Sequence, residues 1–113
     1  MKYLLLGLTT ESGQQLAGPD LEAWMQEIGA WYEKWGSSGK LADRGNQLDS
    51  AEKVKTIRAG GVFDGPFIES KEALGGYSVL ETDSLDEAVE IAKTWPGVDQ
   101  GLIVMEVRPV MAM

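Results

Sequence analysis

The sequence predicts an α+β fold: a ferredoxin-like βαββαβ sandwich with an extra hairpin. Three observations lead there. Two stretches, residues 21–35 and 85–95, repeat apolar residues at helical spacing. Each is followed by runs of β-forming residues. The resulting order is β-α-β-β-(β)-β-α-β, the mixture expected of a sheet with helices on one face.

The elements follow in turn. Lys2 to Leu8 is a short apolar run that suits a central strand, with Leu4, Leu6 and Leu8 on one face and Tyr3 and Leu5 on the other. The polar stretch from Thr9 to Gly18 reads as a loop. Pro19 and Asp20 then open a helix, Pro19 at its first position and Asp20 against the dipole. Its stripe is Leu21, Trp24, Met25, Ile28, Trp31, Tyr32 and Trp35, and Gly36 to Gly39 stops it. Three tryptophans on one stripe point to packing against a broad sheet.

Leu41 to Leu48 reads as a strand weakened by Gly45. Lys53 to Arg58 is a strand, and Gly60-Gly61 a hairpin turn into Val62 and Phe63. Asp64-Gly65-Pro66-Phe67 is a turn by composition, and Ile68 to Leu74 a solvated connector. Gly75 to Thr82 is a strand. Ser84-Leu85-Asp86-Glu87 forms a capping box for a second helix carrying Leu85, Ala88, Val89, Ala92 and Trp95 on one face. Gly101 to Val107 is the last strand. Ile103, Met105 and Val107 make one of its faces; Leu102, Val104, Glu106 and Arg108 make the other. The second face of such a sheet is too apolar to be wholly wet, and a second copy of the chain is the simplest cover.

Composition narrows the chemistry. The 113 residues match one domain, 1–113. Acidic residues number 18 against 10 basic ones, a net charge of −8 that opposes binding to nucleic acid or to anionic membranes. There is no cysteine, which excludes disulfides, thiol nucleophiles and zinc–cysteine sites. There is no histidine, which removes the commonest general base and transition-metal ligand. No metal or cofactor motif is found, and Gly60-Gly61 lacks the helix and Lys-Ser/Thr of a phosphate loop. The opening apolar run is too short for a signal peptide or membrane span, so the expected compartment is the cytoplasm.

One block goes further. Asp64-Gly65-Pro66-Phe67, then Glu69, Lys71-Glu72, Leu74 and Gly75-Gly76-Tyr77, resembles the signature of the DGPF-domain, or YCII-related, family. The family's opening strand resembles Lys2 to Leu6, and its acidic-capped helix resembles Asp20 to Trp35. Its Ser-Leu-Asp-Glu-Ala helix resembles Ser84 to Ala88, and its Glu-Val-Arg-Pro strand resembles Glu106 to Val110. The resemblance implies a dimeric α+β barrel, in which two such sheets face each other. Broader relatives on that fold include isomerases, cofactor-independent monooxygenases, haem enzymes and ligand-sensing domains, so fold does not assign a reaction. Members with a proposed active site pair a histidine with the aspartate of this block. Asp64 matches the aspartate, and with no histidine present a His–Asp pair is excluded. The dehalogenase-like activity that the resemblance implies for such members lacks that pair here.

Asp64 is the candidate catalytic residue, a general base if burial raises its pKa; the alternative is a carboxylate that caps the Gly65–Pro66 turn. Tyr77, Arg108, Arg44 and Phe67 are the candidate ligand contacts: a phenol donor, two guanidinium clamps for a carboxylate, and an apolar anchor. Glu69, Lys71 and Glu72 form either a charged rim or a solvated connector. Three functions compete. The favoured one is a small-molecule-binding or regulatory homodimeric module, taking a small carboxylate or aromatic ligand. The second is an isomerase or lyase using Asp64 near a dimer interface. The third is a purely structural oligomeric protein.

Overall fold

The computed structural model describes residues 1–68 and 70–112. Strand β1 (Lys2–Thr9) leads through a short helix α1 (Glu11–Gln14) to the long helix α2 (Gly18–Ser38). Strands β2 (Leu41–Gln47), β3 (Lys55–Arg58), β4 (Gly61–Asp64) and β5 (Ala73–Glu81) follow, with a 3-10 turn at Ala51–Lys53 before β3. Helix α3 (Leu85–Lys93) and strand β6 (Ile103–Pro109) complete the order. The main sheet runs β2-β5-β1-β6, all neighbours antiparallel, while β3 and β4 pair only with each other. This is the predicted sandwich with its extra hairpin.

Several boundaries differ from the sequence reading. The stretch after β1 is not all loop: Thr10 caps α1, its hydroxyl accepting from Gly13 N at 3.2 Å and donating to Gly101 O at 2.6 Å. Gly13 is buried so tightly that an added Cβ would sit 2.1 Å from Leu102 O, which is why this polar segment is pinned to the start of β6. Strand β5 begins at Ala73, two residues early, because Leu74 pairs with Leu8 across a bulge that leaves Gly75 unmatched. The hairpin turn falls on Ala59 and Gly60 rather than on Gly60-Gly61, since Arg58 pairs with Gly61. Glu69, assigned to the charged rim or connector, lies outside the described residues.

Alternation along β1 separates two faces. Tyr3, Leu5 and Gly7 are buried, while Leu4, Leu6 and Leu8 are half-buried. The core lies under α2 and α3, where Tyr3, Leu5, Leu80 and Ile103 meet Trp24, Trp31, Ala88, Ile91, Ala92 and Trp95. Ile91 belongs to this core although the sequence reading left it off the α3 stripe. Two indoles tie α2 to the segment after α3: Trp31 Nε1 donates to Thr94 Oγ1 at 2.9 Å and Trp24 Nε1 to Pro96 O at 2.8 Å. Met25, placed by spacing on the packed stripe, is about half exposed.

Candidate functional site

Helix α2 is not seated flush on the sheet. Between them lies a cavity of about 730 Å³, within the range usual for small-molecule sites. Its origin is local. Gly7 of β1 and Gly76 of β5 are cross-strand partners, and both line the cavity. Where other pairs of the sheet bring two side chains up to the helix, this pair brings none. Leu21, Trp24, Met25 and Ile28 of α2 wall the opposite side, with Met105 and Ile103 of β6 along the sheet.

The polar end of the cavity is built by Tyr32, Ser78, Trp95 and Arg44. Ser78 occupies a core-facing position of β5 opposite Leu5 and is 1% exposed. The Tyr32 hydroxyl is flanked by the Ser78 and Trp95 side chains; burial pushes its pKa up, against smaller downward pulls from Ser78, Trp95 and Arg44. The Trp95 and Tyr32 rings stand perpendicular to each other, with centroids 6.3 Å apart. Trp95 Nε1 nonetheless makes no hydrogen bond of ordinary geometry, and it is buried.

Arg44 reaches this end because β2 is bulged. Asp43 pairs with Val79 and Asn46 with Tyr77, so Arg44 and Gly45 bulge out between them. Asp43 Oδ1 accepts from Gly45 N at 2.8 Å, and Gly45 takes a φ of +65°. A separate shift between Leu41 and Asp43 turns Asp43 outward opposite Val79 and leaves Arg44 on the helix side, its guanidinium 5.7 Å from the Tyr32 ring centre and 3.8 Å from Glu33 Oε1.

The other sequence candidates lie elsewhere. Tyr77 alternates with buried Ser78, which sends its ring to the opposite face of the sheet, where Asn46 Nδ2 donates to its hydroxyl at 3.1 Å. Its backbone still borders the cavity. Arg108 shares that opposite face, beside Leu4, with Glu106 at 3.6 Å. Asp64 and Phe67 belong to the hairpin. Among the described residues the Asp64 carboxylate pairs with Lys55, its cross-strand neighbour, and its side chain is 85% exposed. It does not cap the turn: Gly65 N donates to Val54 O at 2.8 Å and Thr56 Oγ1 to Gly65 O at 2.6 Å. Phe67 is exposed beneath the Arg58 guanidinium, 4.7 Å from it. With Phe63 and Asp64 they frame a recess of about 300 Å³.

The structure thus brings Arg44 alone of these candidates to the cavity's polar end. Tyr32, Ser78 and Trp95 were absent from the candidate set, since Tyr32 and Trp95 read as core stripe. Ser78 carried a usable signal: a hydroxyl in phase with Leu80, at a position the strand pattern reserves for the core. Among the described residues there is no cluster of acidic side chains able to hold a metal ion. None of the described helices is long and apolar enough to cross a membrane.

Comparisons with known proteins agree with this architecture. An uncharacterized protein of Rhizobium meliloti (strain 1021) is 31% identical over 91 residues, covering 78% of this chain and 73% of that one. A solved structure of similar fold is 5-chloro-2-hydroxyhydroquinone dehydrochlorinase from Burkholderia phenoliruptrix AC1100, in complex with 2,5-dihydroxybenzoquinone. It aligns with a TM-score of 0.56 over 100% of this chain and 96% of its own, at 16% identity, a likeness of fold alone. The family model of the YCII-related domain matches residues 1–113. The chain belongs to the YCII-related family, within the superfamily of dimeric α+β barrels.

Proposed function

We propose that the protein is a small-molecule-binding module, a homodimeric binding or regulatory protein of the cytoplasm, with its ligand held between α2 and the sheet. The observation that carries this reading is the cavity itself: glycine on its floor, an apolar wall from α2, a buried polar group at one end, and polar residues such as Gln14, Gln47, Asp49 and Glu52 elsewhere in its lining. That combination gives a ligand burial from the walls and orientation from the polar end. A thermal-shift screen of small carboxylates and aromatics tests it, with 2,5-dihydroxybenzoquinone included because the structural neighbour binds it. A ligand at a hundred times its Kd adds about 2.7 kcal/mol, and Tm rises by several degrees. Flat responses throughout sink the reading.

Dimerisation has support of two kinds. Leu4, Leu6, Leu8 and Val104 face away from both helices, an apolar surface that a second sheet would cover. The hairpin adds Ile57, Val62, Phe63, Phe67 and Ile68, all about half exposed or more. It also carries Arg58, whose guanidinium lies over the Phe63 and Phe67 rings, on a chain of net charge −8.

An enzymatic reading, an isomerase or lyase with Asp64 as base, has its support in the neighbour's being a dehydrochlorinase. Against it stand the exposure of Asp64, its pairing with Lys55, and its absence from the cavity lining. Asp64→Asn separates the readings. In the binding module it leaves ligand affinity and Tm unchanged; in the enzyme it abolishes turnover of any ligand found.

A further inference from the structure

We propose that residues 49–67 form an arm that docks on a second copy of the chain, at the β6 edge of its open sheet face, and that this docking fixes the rim of the ligand cavity. This rests on the dimer reading and on the reading of the cavity as a ligand site, and it names what the partner contributes to both.

Strands β3 and β4 pair only with each other, and neither packs extensively on a helix or on the main sheet. An isolated two-stranded hairpin is marginal in water. This one also keeps apolar residues wet on both faces. The cross-strand partners Ile57 and Val62 lie largely exposed on one face. Phe63 lies on the other, beneath the Arg58 guanidinium that also covers Phe67. The radius of gyration, 15.2 Å, exceeds the about 13 Å of a compact chain of this length, as a projecting arm requires. Such a surface gains stability by burial against another molecule.

A second copy is the occupant that the rest of the chain favours. The chain leaves two apolar surfaces uncovered, the arm and the sheet face of Leu4, Leu6, Leu8 and Val104. A two-fold axis sets each against the other and uses every contact twice, which helps a small arm reach the about 1,200–2,000 Å² of a stable interface. Strand β6 borders the sheet, so an arm can reach it beside a facing sheet. Charge agrees. Among the described residues, Lys53 is held by Asp49 and Lys55 by Asp64, while Arg58 forms no ion pair. Glu106 of β6 lies in the open face opposite Leu6, with Arg108 at 3.6 Å, beyond hydrogen-bond reach. An arginine stacked on two aromatic rings is also the composition of interface anchors.

The root of the arm is the rim of the cavity, for residues 48–52 belong to its lining. Lys53 N donates to Ser50 O at 3.0 Å and Val54 N to Ala51 O at 3.2 Å, while Val54 O accepts from Gly65 N at 2.8 Å. Lys53 Nζ donates to Asp49 Oδ2 at 2.9 Å. Rim and hairpin are one hydrogen-bonded piece, and what holds the hairpin holds the rim.

Phe63 and Phe67 are the chain's two phenylalanines, so labelling phenylalanine alone reports the arm. Labelled and unlabelled protein are mixed, unfolded and refolded together, and isotope-filtered NMR contacts are recorded. The expected result is contact between the labelled rings and the methyl groups of Leu6, Leu8 or Val104 of the other copy. Hydrogen exchange supplies a second readout. The Lys53, Val54 and Gly65 amides should be protected in the wild-type dimer and exchange at least about tenfold faster in Phe67→Asp, with β1 and β5 unchanged. A wild-type dimer that lacks those contacts, or exchanges fast at those amides, overturns the arm and leaves the dimer reading standing. A Phe67→Asp protein that stays fully dimeric overturns the arm as well. One that becomes monomeric yet keeps Lys53 and Val54 protected overturns the link to the rim. A wild-type monomer removes the dimer reading and this inference together, and the cavity reading stands.

Discussion

Gly45 shows how much one residue decides. Its φ of +65° lies in the left-handed region, and a Cβ there would fall 1.8 Å from Tyr77 O. Alanine therefore has to move the β5 backbone or unmake the bulge that aims Arg44 at Tyr32. We expect Gly45→Ala to cost at least about 2 kcal/mol, read as a Tm lowered by roughly 5–10 °C in thermal unfolding. The sequence flagged Gly45 as a weakness in a strand; it is the bulge residue that follows Arg44 and lets Asn46 rejoin the ladder opposite Tyr77. That could not be read from spacing, because a bulge shifts the alternation by one and leaves no mark except the glycine. Ser78 was legible in principle. Tyr32 and Trp95 were not, since a helical stripe gives the same pattern whether its far end packs or borders a void.

At the level of elements, the two long helices begin in contrasting ways. Helix α3 has the capping box its sequence announces: Ser84 Oγ accepts from Glu87 N at 3.1 Å. The glutamate reaches back one residue further than expected, accepting from Asp83 N at 3.0 Å, and it also receives Lys40 Nζ at 3.0 Å. The Asp83 amide first, and then Lys40, hold Glu87 below its ordinary value of 4.5. A depressed carboxylate stabilises the fold above its unfolded pKa and loses that contribution as pH falls through the folded one. Glu87→Gln should thus flatten the decline of Tm between about pH 5 and pH 3 relative to wild type, measured by calorimetry. Helix α2 begins with no side-chain cap at all. Ala17 occupies the N-cap in extended geometry, φ −150° and ψ 167°. Ala17→Ser supplies the missing acceptor, and a gain of about 0.5–1 kcal/mol in urea unfolding is expected. Both helices were legible from periodicity and caps. Helix α1 was not: its four residues are held by Thr10 and by burial of Gly13 against Leu102, a contact 89 positions along the chain.

The whole molecule measures 44 × 43 × 19 Å, the thickness of one helix layer on one sheet layer. The fold class and the extra hairpin were legible because they follow from the succession of the main elements. The location of the pocket was not, because it depends on two glycines in different strands meeting opposite each other under α2. The slab leaves one sheet face and the hairpin without cover, and the dimer reading is tested at this scale. Light scattering on the eluted protein should give twice the 12.3 kDa chain mass. Phe67→Asp and Val104→Asp should each shift it toward monomer while circular dichroism stays unchanged. A monomer in the wild-type protein at micromolar concentration defeats the dimer and leaves the cavity, which is formed within one chain.

Of the four tryptophans, Trp24 and Trp95 are in the cavity wall, whereas Trp31 and Trp35 pack elsewhere on the helix. The ligand site is therefore fitted with its own optical gauge. Anything that enters it displaces solvent from two indoles and changes their emission wavelength and lifetime, and Trp31, with its ring 6.0 Å from that of Trp95, shares in the change. Occupancy can be followed in unlabelled protein, in crude mixtures of candidate metabolites, and at concentrations too low for calorimetry.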